Sequence, residues 1–179
     1  GQPPSAIEAQ GVDLNWGGGV ASSNVSWRWD PKTRQYLRDQ RGRPHEDSGG
    51  QQLSAKNVVV MITEYVPSYA DSRSPQAKSV GSGELFVYTD GRVIRGRWDR
   101  PDVAKPATLV DDQGLPVLLS PGQTWIELPQ AGGATTATGG FTLKRLEFKI
   151  GEGEWADTSM VANDVQVKFK LLLSGVPAL

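Results

Sequence analysis

The segment from Glu84 to Trp98 constrains this chain more than any other. Glu84-Leu85-Phe86-Val87-Tyr88-Thr89 is followed by Asp90-Gly91 and then by Arg92-Val93-Ile94-Arg95-Gly96-Arg97-Trp98. An Asp-Gly pair between two strand-forming runs specifies a type I′ turn, because both central residues take positive φ and that twist matches paired strands. A tight antiparallel hairpin is therefore written into the middle of the chain. A hairpin alone is marginal in water, so further strands must cover it.

Those strands are visible on either side. In Val25-Ser26-Trp27-Arg28-Trp29 apolar and polar residues alternate, which puts Val25, Trp27 and Trp29 on one face. Asp30-Pro31-Lys32-Thr33 turns the chain into Gln35-Tyr36-Leu37-Arg38. Val58-Val59-Val60-Met61-Ile62 is continuously apolar and mostly β-branched, the pattern of a central strand covered on both faces. Thr108 to Asp111, Val117 to Leu118 and Thr124 to Leu128 add shorter strands around Gly and Pro turns. Toward the end, Phe141 and Leu143 share one parity and Leu146, Phe148 and Ile150 the other, so a bulge is expected near Lys144-Arg145. Val165, Val167, Phe169 and Leu171 alternate with polar residues as a half-exposed strand. No amphipathic helix longer than a couple of turns is present. The expectation is an all-β chain, mainly antiparallel sheet, forming a sandwich or partly open barrel built of hairpins, with little helix.

Composition divides the chain. Residues 1–23, with Pro3-Pro4 and Gly17-Gly18-Gly19, read as a flexible lead holding one short strand around Val12 to Trp16. Residues 24–129 form the main β domain. Residues 130–140 (QAGGATTATGG) are low-complexity Gly, Ala and Thr and read as a linker. Residues 141–179 form a terminal β-hairpin packed on the main sheet.

Several chemistries lack their residues. With no cysteine there is no disulfide, thiolate metal site or Cys nucleophile. A formal charge of −1 gives no field to attract nucleic acid, so none is expected as a partner. No apolar run approaches the ~20 residues of a membrane-spanning helix. His45, the single histidine, lies in a polar turn-rich loop and has no Gly-x-Ser-x-Gly elbow to serve. One histidine and scattered carboxylates give no metal-ligand spacing. Gly81-Ser82-Gly83 leads into a strand and not a helix N-terminus, so it reads as a turn and no cofactor is expected. The acid pairs Asp111-Asp112 and Glu152 with Glu154 read as solvated turn residues. The expectation is no catalytic and no metal site.

The remaining candidate is an arginine-rich face. Arg95 and Arg97 share one side of their strand, Trp98 points to the other, and Arg28 and Arg38 join them if their strands are neighbours. An arginine row beside aromatics can hold phosphate, carboxylate or a sugar acid bidentately. The competing reading has these arginines paired with acids on a solvated sheet face.

Two family resemblances follow from longer stretches. From Asn24 to Leu128, Trp27-Arg28-Trp29-Asp30, Tyr36-Leu37-Arg38, Gly42-Arg43-Pro44-His45 and Ala55-Lys56-Asn57-Val58-Val59-Val60 occur in order. Gly81-Ser82-Gly83, Gly91-Arg92-Val93-Ile94-Arg95-Gly96-Arg97-Trp98 and the block Leu119 to Leu128 complete them. This set resembles the C-terminal domain of YerB-like bacterial lipoproteins, a family of unknown function. The resemblance implies a non-catalytic binding module of the bacterial envelope, exported and lipoprotein-derived, whose partner is an envelope polymer or a protein.

The tail, Phe141 to Leu173 with Gly151-Glu152-Gly153-Glu154-Trp155-Ala156-Asp157, resembles the last two strands of the YceI-like family. That family implies a lipocalin-like barrel binding polyisoprenoid lipid, here with an apolar cavity at Phe141, Leu146, Phe148, Val167 and Phe169. Only a small part of such a barrel is present. The chain thus reads as a fusion or chimera, which also admits a molecule without activity.

Overall fold

The computed structural model describes residues 6–14, 24–132 and 134–174. Its strands are β1 (Ile7–Glu8), β2 (Gly11–Leu14), β3 (Val25–Asp30), β4 (Gln35–Gln40), β5 (Arg43–Pro44), β6 (Ser54–Ala55), β7 (Asn57–Met61) and β8 (Tyr65–Pro67). They continue as β9 (Pro75–Ala77), β10 (Gly81–Thr89), β11 (Arg92–Arg100), β12 (Thr108–Asp111), β13 (Thr124–Glu127), β14 (Ala134–Lys144) and β15 (Asp164–Ser174). The first sheet runs β1-β11-β10-β7-β13, with β12 also on β11. The second runs β15-β14-β2-β3-β4-β5, with β6 also on β4. Both are open, and β8 and β9 form a separate ribbon.

The Asp90-Gly91 hairpin forms as its residues require. Thr89 faces Arg92 across the turn, and Asp90 and Gly91 have φ of 46° and 72°. A Cβ on Gly91 would lie 2.8 Å from the Trp29 indole nitrogen, so both turn conformation and close approach demand glycine there.

Strand β7 shows why a continuous apolar run was needed. All its residues are buried. Val58 and Val60 point into a core shared with Val12, Leu14, Val25, Trp27 and Tyr36 of the second sheet. Val59 and Met61 point the other way, into a second core with Leu85, Val87, Ile94, Trp98 and Val117. The period of two divides one strand between two cores.

Three expectations need correction. The lead over residues 1–23 is not simply flexible: Ile7–Glu8 and Gly11–Leu14 are strands, and Ala9, Val12 and Leu14 are buried against Trp27 and its neighbours. Gly11 makes this possible, since a Cβ there would stand 2.0 Å from the Trp27 carbonyl oxygen. Residues 1–5 and 15–23 lie outside the described residues.

The linker over 130–140 is mostly strand. Thr135–Thr138 of β14 pair with β2 on one side and β15 on the other. Backbone hydrogen bonds supply this pairing, and β-branched threonine suits extended backbone. The hairpin therefore begins at Ala134, and from Gly139 to Lys144 it pairs only with β15.

The third correction concerns the parity switch near Lys144-Arg145, which is the end of a strand and not a bulge. Arg145–Phe148 is a short 3-10 turn. Arg145 is buried and donates to the carbonyls of Ile150 (3.2 Å), Gly151 (2.9 Å), Trp155 (2.7 Å), Val161 (2.9 Å) and Ala162 (3.1 Å). One guanidinium, with its five donors, organises the connection that an apolar core would otherwise hold.

Candidate functional site

The expected arginine row does not assemble. Arg95 and Arg97 lie on β11 in the first sheet, whereas Arg28 and Arg38 lie on β3 and β4 in the second. The strands are not neighbours because β2 and β4 flank β3 while β10 and β12 flank β11. Arg95 pairs with Glu84 at 2.9 Å on the surface, and Arg97 is exposed. Arg28 pairs with Asp13 and donates to the Val12 and Trp27 carbonyls. Trp98 is 1% exposed, and its indole N–H donates to the Ile62 carbonyl at 3.0 Å. It belongs to the second core and does not line a groove.

Arg38 lies deepest of the four. Its Nε donates to Glu127 Oε1 at 3.4 Å, and its guanidinium stands 5.1 Å from the Trp125 ring and 5.8 Å from Trp27. Trp27 donates from its indole nitrogen to the same Glu127 oxygen at 3.0 Å. His45 Nδ1 contacts the Arg38 guanidinium, so the single histidine is a partner of this buried cluster. The bidentate surface expected of Arg38 is used internally.

The apolar tail residues differ in their exposure among the described side chains. Phe148 is 60% exposed on the 3-10 turn, while Leu146, Val167 and Phe169 are half-buried. The Phe141 side chain lies outside the described residues.

The structure assembles a different feature around β13. Polar groups fix this strand at both ends. At its start the Asn57 carboxamide donates to the Ser120 carbonyl (2.9 Å) and Thr124 Oγ1 (3.0 Å). Its oxygen accepts from the Ser120 amide (3.0 Å) and the Thr89 hydroxyl (2.8 Å). Beyond it, Ser120 donates to Asp90 at 2.6 Å and Arg34 donates to Asp90 at 3.0 Å. At the far end Glu127 is held by Trp27 and Arg38, and the Tyr65 hydroxyl donates to the Leu128 carbonyl at 2.6 Å.

This strand is also an edge. β13 pairs in parallel with β7 on one side, and among the described residues no strand pairs its other side. Asn57 donates its amide to Gln123 O and Thr63 donates to Pro129 O, so the odd-numbered residues serve β7. In a parallel ladder the alternate residues, Thr124 and Ile126, then turn their N–H and C=O groups to the open side. Ile126 is 56% exposed. Beside it runs an apolar groove of about 400 Å³, bounded by Ile126, Leu128, Leu119, Leu109 and Ala107 and floored by Val59 and Met61.

The Ser120 hydroxyl is not set up as a nucleophile. The Ser120 hydroxyl, and after it Arg34 and Lys56, hold the Asp90 carboxyl below the ordinary aspartate value of 3.8, which makes it a weak base. Because the folded pKa is depressed, its contribution to stability is present above that value and disappears as pH falls through the lower folded one. Asp90→Asn keeps a turn-compatible residue and should therefore flatten the pH dependence of stability below pH 3.8. Acid titration of the two proteins by circular dichroism checks this; parallel acid transitions would contradict it. Among the described residues no three His, Cys, Asp or Glu side chains gather as a metal site, and no helix is long and apolar enough to cross a membrane.

Comparison with known proteins bears on this geometry. A family model described as the C-terminal domain of a protein of unknown function, DUF3048, matches residues 13–126. The chain belongs to this family. The match spans β3 through most of β13, so Thr124 to Ile126 and most of the groove lining fall inside the DUF3048 C-terminal region, while Glu127, Leu128 and the β14–β15 hairpin fall outside it. The crystal structure of the YerB protein from Bacillus subtilis is similar, with a TM-score of 0.57 and 21% identity. That likeness covers 68% of this chain and 41% of YerB, so the chain spans less than half of that protein. At this identity the shared property is the fold. No curated protein matches the chain.

Sequence reasoning missed the DUF3048 edge strand because Thr124 to Leu128 looks like any short strand. Strand order decides whether it is an edge, and one chain's pattern does not encode order directly. A weak signal was present: Pro121 and Pro129 bracket the run, and proline concentrates at sheet edges.

Proposed function

We propose that this domain is a non-catalytic binding module of the bacterial cell envelope that captures an extended, apolar protein segment on β13. The open, pre-fixed edge beside an apolar groove carries this reading. An added strand gains main-chain hydrogen bonds from Thr124 and Ile126, while its alternate side chains enter the groove. Polar anchors at both ends of β13 mean that little ordering cost remains to be met on binding. The bracketing prolines confine pairing to a short stretch, which favours a short peptide over sheet-to-sheet aggregation. The envelope location rests on the resemblance to YerB-like lipoproteins.

The test uses a library of short apolar peptides against the intact chain, followed by amide hydrogen exchange on the binders. Capture should slow exchange at Thr124 and Ile126. Ile126→Lys should remove binding with little change in melting temperature, because the side chain is largely exposed. Peptides that bind without protecting β13, or that bind Ile126→Lys equally well, would overturn the reading.

A further inference from the structure

A second concavity lies at the turn end of the first sheet, away from the β13 groove. It has a volume of about 390 Å³ and is lined by Glu8, Gln10, Trp29, Asp90 and Arg92, with the backbone of Ala9 and Gly91. Its size falls within the ordinary range of small-molecule clefts.

The lining is built rather than accidental. Trp29 is held from behind by Tyr36, with ring centroids 4.9 Å apart, and from the side by Gly91. Its amide donates to the Gln10 carbonyl at 2.8 Å, and the Ala9 amide donates to the Gly91 carbonyl at 2.8 Å, tying the N-terminal segment to the hairpin turn. Asp90 is fixed by Ser120 and Arg34. By contrast, Glu8 and Arg92 face each other directly across β1 and β11 but form no ion pair with one another. A rigid aromatic wall thus stands beside a carboxylate, a guanidinium and a carboxamide that are free to turn toward a ligand.

From this arrangement we propose that the cleft is a saccharide site for a neutral pyranose unit, with Trp29 as the stacking wall and Glu8, Gln10 and Arg92 bonding the hydroxyls. An indole offers an apolar face with a polar edge, which suits a sugar ring's C–H face and its rim of hydroxyls. Vicinal hydroxyls both donate and accept, so they use a carboxylate acceptor, a guanidinium donor and an amide that does both. Charge selects a neutral ligand. Arg34 pairs with Asp90, and the site's remaining carboxylate, Glu8, and guanidinium, Arg92, carry opposite formal charges that sum to zero, so the cleft has no net field to prefer an anion or a cation. The site is separate from the β13 edge and does not depend on peptide capture there.

The experiment is a titration of the full chain with neutral glucose and N-acetylglucosamine oligosaccharides, followed by NMR of the tryptophan indole resonances. A uronic-acid oligosaccharide serves as the anionic comparison. The Trp29 indole signal should move with a neutral oligosaccharide. Combined Glu8→Gln and Arg92→Ala changes, both on exposed side chains, should weaken the affinity at least ~10-fold at unchanged melting temperature. Trp29→Phe keeps an aromatic wall, so it should retain binding better than Trp29→Ala. The proposal falls if no neutral oligosaccharide moves Trp29, if the double variant binds unchanged, or if the uronic-acid ligand binds more tightly.

Discussion

Glu127→Ala is expected to destabilise the protein by about 3–5 kcal/mol, the range for removing one partner of a buried ion pair. Arg38 and Glu127 are 7% and 4% exposed, so water cannot solvate the charge left behind. The Trp27 indole N–H would lose its acceptor as well, because it shares the Glu127 oxygen with Arg38. For a chain of this size each kcal/mol moves the melting temperature by roughly 2–4 °C, so a drop on the order of 10 °C should appear in a thermal scan. The variant should also speed amide exchange along β13, whose far end Glu127 anchors. Replacing both partners with apolar residues, Arg38→Met with Glu127→Leu, should recover much of the loss, since no buried charge remains. It should still fall short of the parent by about 1–3 kcal/mol, the cost of an unpartnered Trp27 N–H. A Glu127→Ala cost below about 1 kcal/mol would mean that the pair behaves as a surface salt bridge.

Trp98→Ala should be comparably damaging, at about 3–5 kcal/mol, because it empties the largest side chain of the second core. Denaturant unfolding is the measurement: the midpoint should fall while its slope stays constant. Trp98→Phe separates the two contributions of this residue. It keeps most of the apolar volume but loses the hydrogen bond to the Ile62 carbonyl, so it should be milder than alanine. A groove-lining tryptophan would instead alter stability by no more than about 0.5 kcal/mol and change only ligand capture. The two cores are thus probed separately, since Glu127 closes the first and Trp98 fills the second.

Much of the fold was legible where local chemistry and pattern agreed. Asp90-Gly91 named its turn, and the Val58–Met61 run announced a strand covered twice. The pattern failed where the backbone supplied the structure. Thr135 to Thr138 form a central pairing with almost no apolar signal, because ladder hydrogen bonds belong to every residue. It failed again at Arg145, where one guanidinium gathers five carbonyls from residues that no periodicity connects. The candidate site was less legible. Arg28 and Arg38 looked like companions of Arg95 and Arg97, yet each was claimed by its own sheet.

What the amino-acid order determined by itself was local: which residues extend, which parity is apolar, and where the chain reverses. Those depend on backbone φ preferences and on side-chain alternation, both of which act over a few residues. Only the tertiary structure decided which strand became an edge, which arginine was buried and which tryptophan stayed at the surface. Those outcomes depend on which segments meet across the sheets. Glu127 reaches Trp27 from 100 positions away, and among the described residues no later strand comes to pair with the open side of β13. Contacts at such separation follow from strand order, and strand order is a property of the whole chain packed at once.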